Sequence, residues 1–428
     1  MHVFIIAVGS NGDVLPAVSV GAALACRAHH VTFIGPYPYA ELARYNGLDF
    51  VPLSDEYHYY LALRQKAILA TRYDALFVAR HCLAWNVQIY DTLVRCAASD
   101  SLVFSIDRPH LWADFLAKMT HQIPVVRATV DLPVLRLGRD RFLPPSLVQR
   151  RLSEKLTLDW WAFIKARGIS SNIGHLTRLI RRTRALVPRV ALWPAWITGQ
   201  QRYPGLDTYG FVPPPRLPVG EGTRSRRAEI SEKFRVAFVV GTEGTLDGWT
   251  KRFSQVSERV CIALDCEGIL LGGSQAAGES DTASLFSCGF VPLNEVLHGS
   301  SAIVHHGGIG TAAAAIHHAV PQVVVPRCFM QPTNAEWMRR LGVGTVLDSS
   351  EYTPVRVTEV LSRVFADARM RDRCVAAARA ARRSTDIEGL LHFIEAQRSL
   401  AEGVKKGEAE RRSCVSSAVG YSVSPRWS

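Results

Sequence analysis

The chain opens on an unbroken apolar run, Val3 to Val8, which stops at Gly9-Ser10-Asn11-Gly12 and gives way to apolar residues at helical spacing from about Leu15 to Arg27. A second apolar run, Val31 to Ile34, follows. Runs without polar alternation read as strands covered on both faces. A strand–helix–strand succession is the unit of a parallel sheet packed between helices. The same succession predicts a helix from Tyr39, a strand around Phe50 to Pro52, and a long helical stretch from about Leu61 to Ala98. Strand Leu102 to Ile106, a helix around Leu111 to Met119 and strand Pro124 to Ala128 come next. From about Pro133 to Pro188 the strand pattern stops; that segment reads as helical, before a strand-like piece at Ala191 to Trp193.

Residues 212–234 break the alternation with Pro213-Pro214-Pro215, Pro218 and a stretch rich in Gly, Arg and Ser, the composition of a domain boundary. A second run then predicts strands at Val236 to Val240, Gly268 to Leu271, Ser287 to Val291, Ala302 to Val304, Gln322 to Val325 and Gly344 to Leu347, with helices between. Helices close the chain from Val355 to about Leu400. The expected organisation is α/β, with two Rossmann-like domains, 1–212 and 235–385, facing across a cleft. A linker over 213–234 joins them, a helix over 386–402 packs back on the first domain, and 403–428 form a disordered tail.

Of the 428 residues, 48% are apolar and 21% charged, which excludes a disordered chain, a collagen-like fibre and a coiled coil. No apolar run reaches the length of a membrane-spanning helix, and the N-terminus carries no basic leader, so a cytoplasmic protein is expected. Nine scattered cysteines without C-x-x-C or zinc-finger spacing read as small buried hydrophobes in a reducing compartment. The net charge of +12 is concentrated: between Arg127 and Arg202 there are 15 Lys and Arg against 4 Asp and Glu. That window, with Trp160 and Trp161 beside Lys165 and Arg167, fits a solvated helical face or an anionic partner such as a phosphate-bearing ligand, nucleic acid or a membrane surface. No nucleic-acid-binding motif accompanies it.

Two glycine turns carry the candidate chemistry. In the second half, Val304 leads into His305-His306-Gly307-Gly308-Ile309-Gly310-Thr311, followed by Pro321, Pro326 and Gln331-Pro332-Thr333-Asn334-Ala335. A glycine turn at a helix N-terminus lets the backbone approach an anion and offers it free N–H groups, with histidine as a further donor. In the first half, Gly9-Ser10-Asn11-Gly12-Asp13-Val14-Leu15-Pro16 lacks the third glycine and the acidic ribose ligand of a dinucleotide fingerprint, which argues against a dehydrogenase. Asp13 there reads by itself as a helix cap.

The C-terminal stretch resembles the nucleotide-sugar signature of the UDP-glycosyltransferase superfamily, H-x-G-x-x-(S/T) followed by Pro, Pro and Asp-Gln-x-x-Asn-Ala. The resemblance implies the GT-B fold, with the acceptor bound by the N-terminal domain and the nucleotide sugar by the C-terminal one. It implies that His305 or His306, with Gly307, Gly308, Gly310 and Thr311, holds the donor diphosphate. Thr242 matches a family hydroxyl on phosphate, Val291 the loop over which the base sits, and Gln331 a sugar-hydroxyl ligand. The opening motif resembles bacterial members that glycosylate natural products and lipids, in which the residue matching Asp13 is the candidate base; Ser10, Asn11 and Gly12 form the acceptor-side loop. Phe50 to Glu56 and Pro194-Ala195-Trp196 extend the likeness toward the rhamnolipid rhamnosyltransferase type.

Two positions depart from the pattern. Where plant-type members place a ribose-binding Glu, this chain has Ala313 or Ala314, which fits a deoxyribose and hence a dTDP-linked donor over a UDP-linked one. Met330 stands where a sugar-binding Asp is usual. The expected activity is therefore an inverting glycosyl transfer (a hexosyltransferase, rhamnosyltransferase-like) from dTDP-rhamnose to a hydroxyl of a lipid or hydroxy-fatty acid. No cofactor beyond the nucleotide-sugar co-substrate is expected and, with no Asp-x-Asp in the chain, no metal. Peripheral contact with the inner membrane and a partner protein that supplies the acceptor go with that reading. The alternatives are a UDP-glucose-dependent transferase for a small natural product, or a nucleotide-sugar-binding protein that has lost catalysis, the reading Met330 favours.

Overall fold

The structure is a computed structural model. It describes residues 1–54, 74–107, 111–133, 163–167, 186–199, 203, 205–218, 234–241, 249–272, 284–288, 291–327 and 330–400, with the backbone alone over 74–83. Trp160, Trp161 and Thr242, the start of the long helical stretch and the tail lie outside the described residues.

The first seven strands are β1 (His2–Ile6), β2 (His30–Gly35), β3 (Asp49–Pro52), β4 (Ser101–Ile106), β5 (Val125–Thr129), β6 (Arg189–Ala191) and β7 (Leu206–Thr208). They form one parallel sheet in the order β3-β2-β1-β4-β5-β6-β7. Around it pack α1 (Asn11–Cys26), α2 (Ala40–Tyr45), α3 (Asp74–Cys96) and α4 (Ala113–His121). The strands are apolar on both faces because each face is covered. Val3 and Ile5 join one core with Val14 and Val18 of α1, while Phe4 and Ile6 join another with Leu93 of α3 and Leu116 of α4.

The second sheet contains β8 (Arg235–Val239), β9 (Glu267–Leu271), β10 (Leu285–Cys288), β11 (Ala302–His305), β12 (Gln322–Val324) and β13 (Gly344–Val346). These are parallel too, in the order β10-β9-β8-β11-β12-β13. Its helices are α5 (Trp249–Leu264), α6 (Leu293–Leu297), α7 (Ile309–His317), α8 (Gln331–Leu341), α9 (Pro354–Ala366) and α10 (Ala368–Ser384). Two parallel-sheet α/β domains joined in this way are the GT-B arrangement.

The chain crosses between the domains twice, and the crossings are stitched together. Asp386 N–H donates to Tyr209 O at 2.9 Å, and Trp196 Nε1–H reaches Ser384 Oγ at 3.1 Å. A side chain at Gly210 would run into the backbone carbonyl of Ser384. A further helix over 387–400 then lies on the first domain, where Glu395 pairs with Arg27 at 2.8 Å and His29 at 2.9 Å.

Some elements differ from the sequence reading. Strand β7 has only three residues and one apolar side chain, so no pattern announces it. Helix α1 starts four residues before Leu15 because Ser10 and Asp13 build its N-terminus. Cys261, Cys266 and Cys374 are buried as expected, but Cys26 and Cys96, each the last residue of a helix, are exposed. The basic segment is described only in part; there Arg167 pairs with Asp91 at 2.7 Å and lies over the Phe163 ring.

Candidate functional site

In each sheet the strand order reverses at one place, between β1 and β4 in the first and between β8 and β11 in the second. Open parallel sheets form a ligand crevice at such switch points, outside the carboxyl ends of the strands. The loops there are the two glycine turns: Gly9 to Gly12 leaves β1, and His305 to Gly308 leaves β11, beside Gly241 at the end of β8. The helices that follow them pack together. Val14 and Ala17 of α1 share one apolar cluster with Ile309 and Ala312 of α7, so the first turns of both helices meet in the same core.

At the first turn, Ser10 is the N-cap of α1 and its N–H donates to Asp13 Oδ2 at 3.1 Å. This pins the Asp13 carboxylate in the first turn of its own helix, where the helix dipole favours a negative charge. The carboxylate is 4% exposed. It also dictates Gly9, since a Cβ there would fall 1.9 Å from Asp13 Oδ2. Asn11 Oδ1 accepts from the Tyr39 hydroxyl at 2.8 Å, whereas a side chain at Gly12 would meet nothing within 4 Å.

At the second turn the two histidines separate. His305 ends β11, is wholly buried, and has both ring nitrogens engaged. Its Nε2 lies 3.0 Å from Gln322 Oε1, and its Nδ1 accepts the Gly307 N–H at 3.1 Å. Burial, and then the neighbouring His306, push its pKa down to about 3, so the ring is neutral at ordinary pH. His306 is half-buried, with its ring edged between two glycines. A Cβ would stand 2.7 Å from that ring at Gly241 and 2.5 Å from it at Gly308. Gly241 and Gly307 also have positive φ, +83° and +90°, which side chains resist.

Gly308 is the N-cap of α7 and has no side chain with which to cap it; no acidic residue occupies the first turn. The N–H groups from Gly308 to Thr311 thus have no intrahelical acceptor. Gly310 is exposed and open, with nothing within 4 Å of a Cβ. Thr311 is half-buried beside it. Gln331, the first residue of α8, spends its carbonyl on the Arg327 N–H at 2.9 Å, while Met330 stands half-exposed as the N-cap. Val291 packs against the apolar cluster that includes Ala237, Leu271, Val296 and Leu297.

Sequence reasoning overlooked two residues. Gln322 holds His305, and Asn334 Nδ2–H donates to Gly307 O at 2.9 Å. Asn334 stands in the quoted motif, but nothing in its spacing says that it binds the turn rather than a ligand. Among the described residues no group of three His, Cys, Asp or Glu side chains is placed to hold a metal ion, and no helix is long and apolar enough to cross a membrane.

Residues 270–386 match the family described as erythromycin biosynthesis protein CIII-like, C-terminal domain. The chain is 40% identical over 78 residues to 10-deoxymethynolide desosaminyltransferase of Streptomyces venezuelae, covering 18% of each chain. It is 23% identical over 382 residues to O-mycaminosyltylonolide 6-deoxyallosyltransferase of Streptomyces fradiae, covering 80% of this chain and 84% of that protein. The alignments span between 18% and 34% of the length of the three relatives matched first. Among solved structures, the glycotransferase of kitacinnamycin superposes with a TM-score of 0.68 at 18% identity, over 92% of this chain and 98% of that one. VinC in complex with dTDP gives 0.65 at 18% identity, over 93% and 100%. These likenesses establish the GT-B fold. They support the UDP-glycosyltransferase superfamily and not, within it, the rhamnolipid rhamnosyltransferase type toward which the opening motif pointed.

Proposed function

We propose that the protein is a glycosyltransferase that moves a deoxysugar from a dTDP-linked donor to a hydroxyl of a natural-product acceptor such as a macrolide aglycone. The uncapped N-terminus of α7, reached through a glycine turn at a switch point, carries the reading: it is built to take an anion and has none of its own. The diphosphate would lie on the Gly308 to Thr311 N–H groups, with His306 as a side-chain donor; the resemblance adds the Thr242 hydroxyl. As the bond from the anomeric carbon to the diphosphate breaks, negative charge grows on the leaving oxygen, and these fixed dipoles stabilise it without rearranging.

Asp13 supplies the other half of the reaction. Its carboxylate takes the proton of the acceptor hydroxyl as that oxygen attacks the anomeric carbon from the opposite face, so the product is inverted. The Ser10 N–H bond fixes the carboxylate at the first turn of α1. A base held within hydrogen-bond reach contributes roughly 10²–10⁴-fold.

The absence of a carboxylate at Ala313 and Ala314 favours dTDP over UDP. The relatives named for desosamine, mycarose and 6-deoxyallose favour a deoxysugar and a polyketide-type acceptor over a lipid. The reading is tested by offering the protein dTDP-6-deoxyhexoses with macrolide aglycones and, separately, hydroxy-fatty acids, and weighing the products by mass spectrometry. A glycosylated aglycone is expected. A glycosylated fatty acid alone would restore the lipid reading, and turnover of UDP-glucose alone would replace the donor. The competing reading, a binding protein without turnover, rests on Met330 and predicts dTDP binding with no product from any acceptor.

A further inference from the structure

Gln322 is the first residue of β12, in the middle of a parallel sheet, and is wholly buried. A buried amide there is costly unless both its ends find partners. Its carbonyl faces the His305 Nε2 at 3.0 Å and its amide nitrogen the Met338 sulfur at 3.6 Å. Gly344, its neighbour on β13, makes the room, since a Cβ there would stand 3.0 Å from the Gln322 Cβ.

The hydrogen-bond roles in this chain are forced. The Gly307 amide can only donate, so His305 Nδ1 must be an acceptor. The one proton of the neutral ring is then on Nε2, and Gln322 must present its oxygen to it. Gly307 is thus gripped at both ends by buried side chains, its N–H by His305 and its C=O by Asn334. With its own polar groups used internally, the turn is fixed at a positive φ and aims the following N–H groups of α7 outward.

We infer that Gln322 is a positioning residue for the anion site at the N-terminus of α7: it fixes the tautomer of His305, which fixes the Gly307–Gly308 turn that presents the N–H groups to a diphosphate. This rests on the donor-site reading above. His305 then serves the site from behind, without touching the ligand, and His306 is the histidine left to meet it.

The test uses the full chain, with dTDP and thymidine as probes in calorimetry. Gln322→Met keeps the volume and removes the acceptor; it should weaken dTDP by about tenfold, one hydrogen bond's worth, and leave thymidine unchanged. Gln322→Glu keeps the acceptor but draws a proton onto His305, and a protonated ring cannot accept the Gly307 N–H. That variant should bind dTDP nearly as wild type at pH 8.5 and progressively worse toward pH 6. Wild type should show no such added loss, because His305 stays neutral; protonation of the dTDP phosphate is common to both proteins and cancels when the variant is compared with wild type at each pH.

A purely structural role would lower stability in both variants without adding a titration. Equal dTDP affinity in folded Gln322→Met and wild type, or a Gln322→Glu variant without the pH dependence, overturns the inference. If wild type itself binds no dTDP, the donor reading fails, and hydrogen exchange of the ligand-free protein decides the positioning role. A peptide covering 302–311 should lose protection in Gln322→Met while β1 and β4 do not, and unchanged protection there overturns it.

Discussion

The two switch points are the same device with opposite electrostatics. Each has a strand ending in a glycine turn and a helix starting in a crevice, but α1 carries its own anion and α7 does not. Asp13, held by the Ser10 N–H, occupies the end of α1, so that helix has no vacancy for a phosphate. At α7 the N-cap is a glycine and the first turn has no acid. One crevice therefore presents a fixed carboxylate and the other a fixed set of N–H donors. A transfer reaction needs both: a group that takes a proton on one side and a cradle for an anionic leaving group on the other.

The walls differ in the same sense. The first sheet is braced by ions: buried Arg127 donates to Asp114 at 2.6 Å and 2.8 Å and to Asp107 at 2.8 Å, and Ser105 also bonds Asp114. In the second, the ion pair Arg235–Glu267 at 3.1 Å sits at the starts of β8 and β9, away from the turn, and the wall behind α7 is braced by neutral groups, the chain Gln322–His305–Gly307–Asn334. Keeping net charge out of the wall behind α7 leaves its dipole undiminished for a ligand.

The largest effect should come from erasing the carboxylate on the α1 side. Asp13→Asn retains an oxygen for the Ser10 N–H but cannot take a proton, so turnover should fall roughly 10²–10⁴-fold with dTDP affinity unchanged. Turnover within a few-fold of wild type would leave Asp13 a cap alone. Next is Asp114→Ala, which leaves the buried Arg127 with Asp107 in place of two carboxylates. Chemical denaturation should show a loss of about 3–5 kcal/mol, and a loss below 1 kcal/mol would mean that the ionic brace is dispensable.

Gly310→Asp makes α7 resemble α1 by placing an acid in an open position of its first turn. Such an acid favours the helix by about 0.3–1 kcal/mol, so melting should not suffer, yet dTDP should bind at least about tenfold more weakly through like-charge repulsion. Unchanged affinity would remove the anion from α7. The last effect is on pH and is spread over several units. His305 stays neutral in the fold down to about pH 3, but takes a proton near pH 6.5 once unfolded. Its stabilising share is whole above pH 6.5 and is lost as pH falls toward 3, by up to about 1.4 kcal/mol per unit. Replacing His305 by Gln should flatten that part of the stability–pH curve, and identical slopes in both proteins would contradict a neutral His305.

The sequence made the sheets legible because burial on both faces leaves unbroken apolar runs such as Val3 to Val8. It made the two turns legible because glycine is needed where a carboxylate or an imidazole presses on the backbone, as at Gly9 and Gly308. It was silent on which histidine meets a ligand. That depends on Gln322, 17 residues away in sequence and adjacent only through strand pairing. It was equally silent on Asp13 being both cap and candidate base, since one hydrogen bond serves either role. Strand β7 went unseen because three residues at a sheet edge carry no period.

The most direct test of the account is calorimetric titration of the wild-type protein with dTDP and with thymidine. If α7 is the anion cradle, the diphosphate should bind at least about 100-fold more tightly than the nucleoside, a gain of about 2.7 kcal/mol, and Gly310→Asp should erase most of that gap. Equal affinities for the two, or no binding of dTDP, would contradict the claim that the two switch points divide the reaction between a base and a leaving-group cradle.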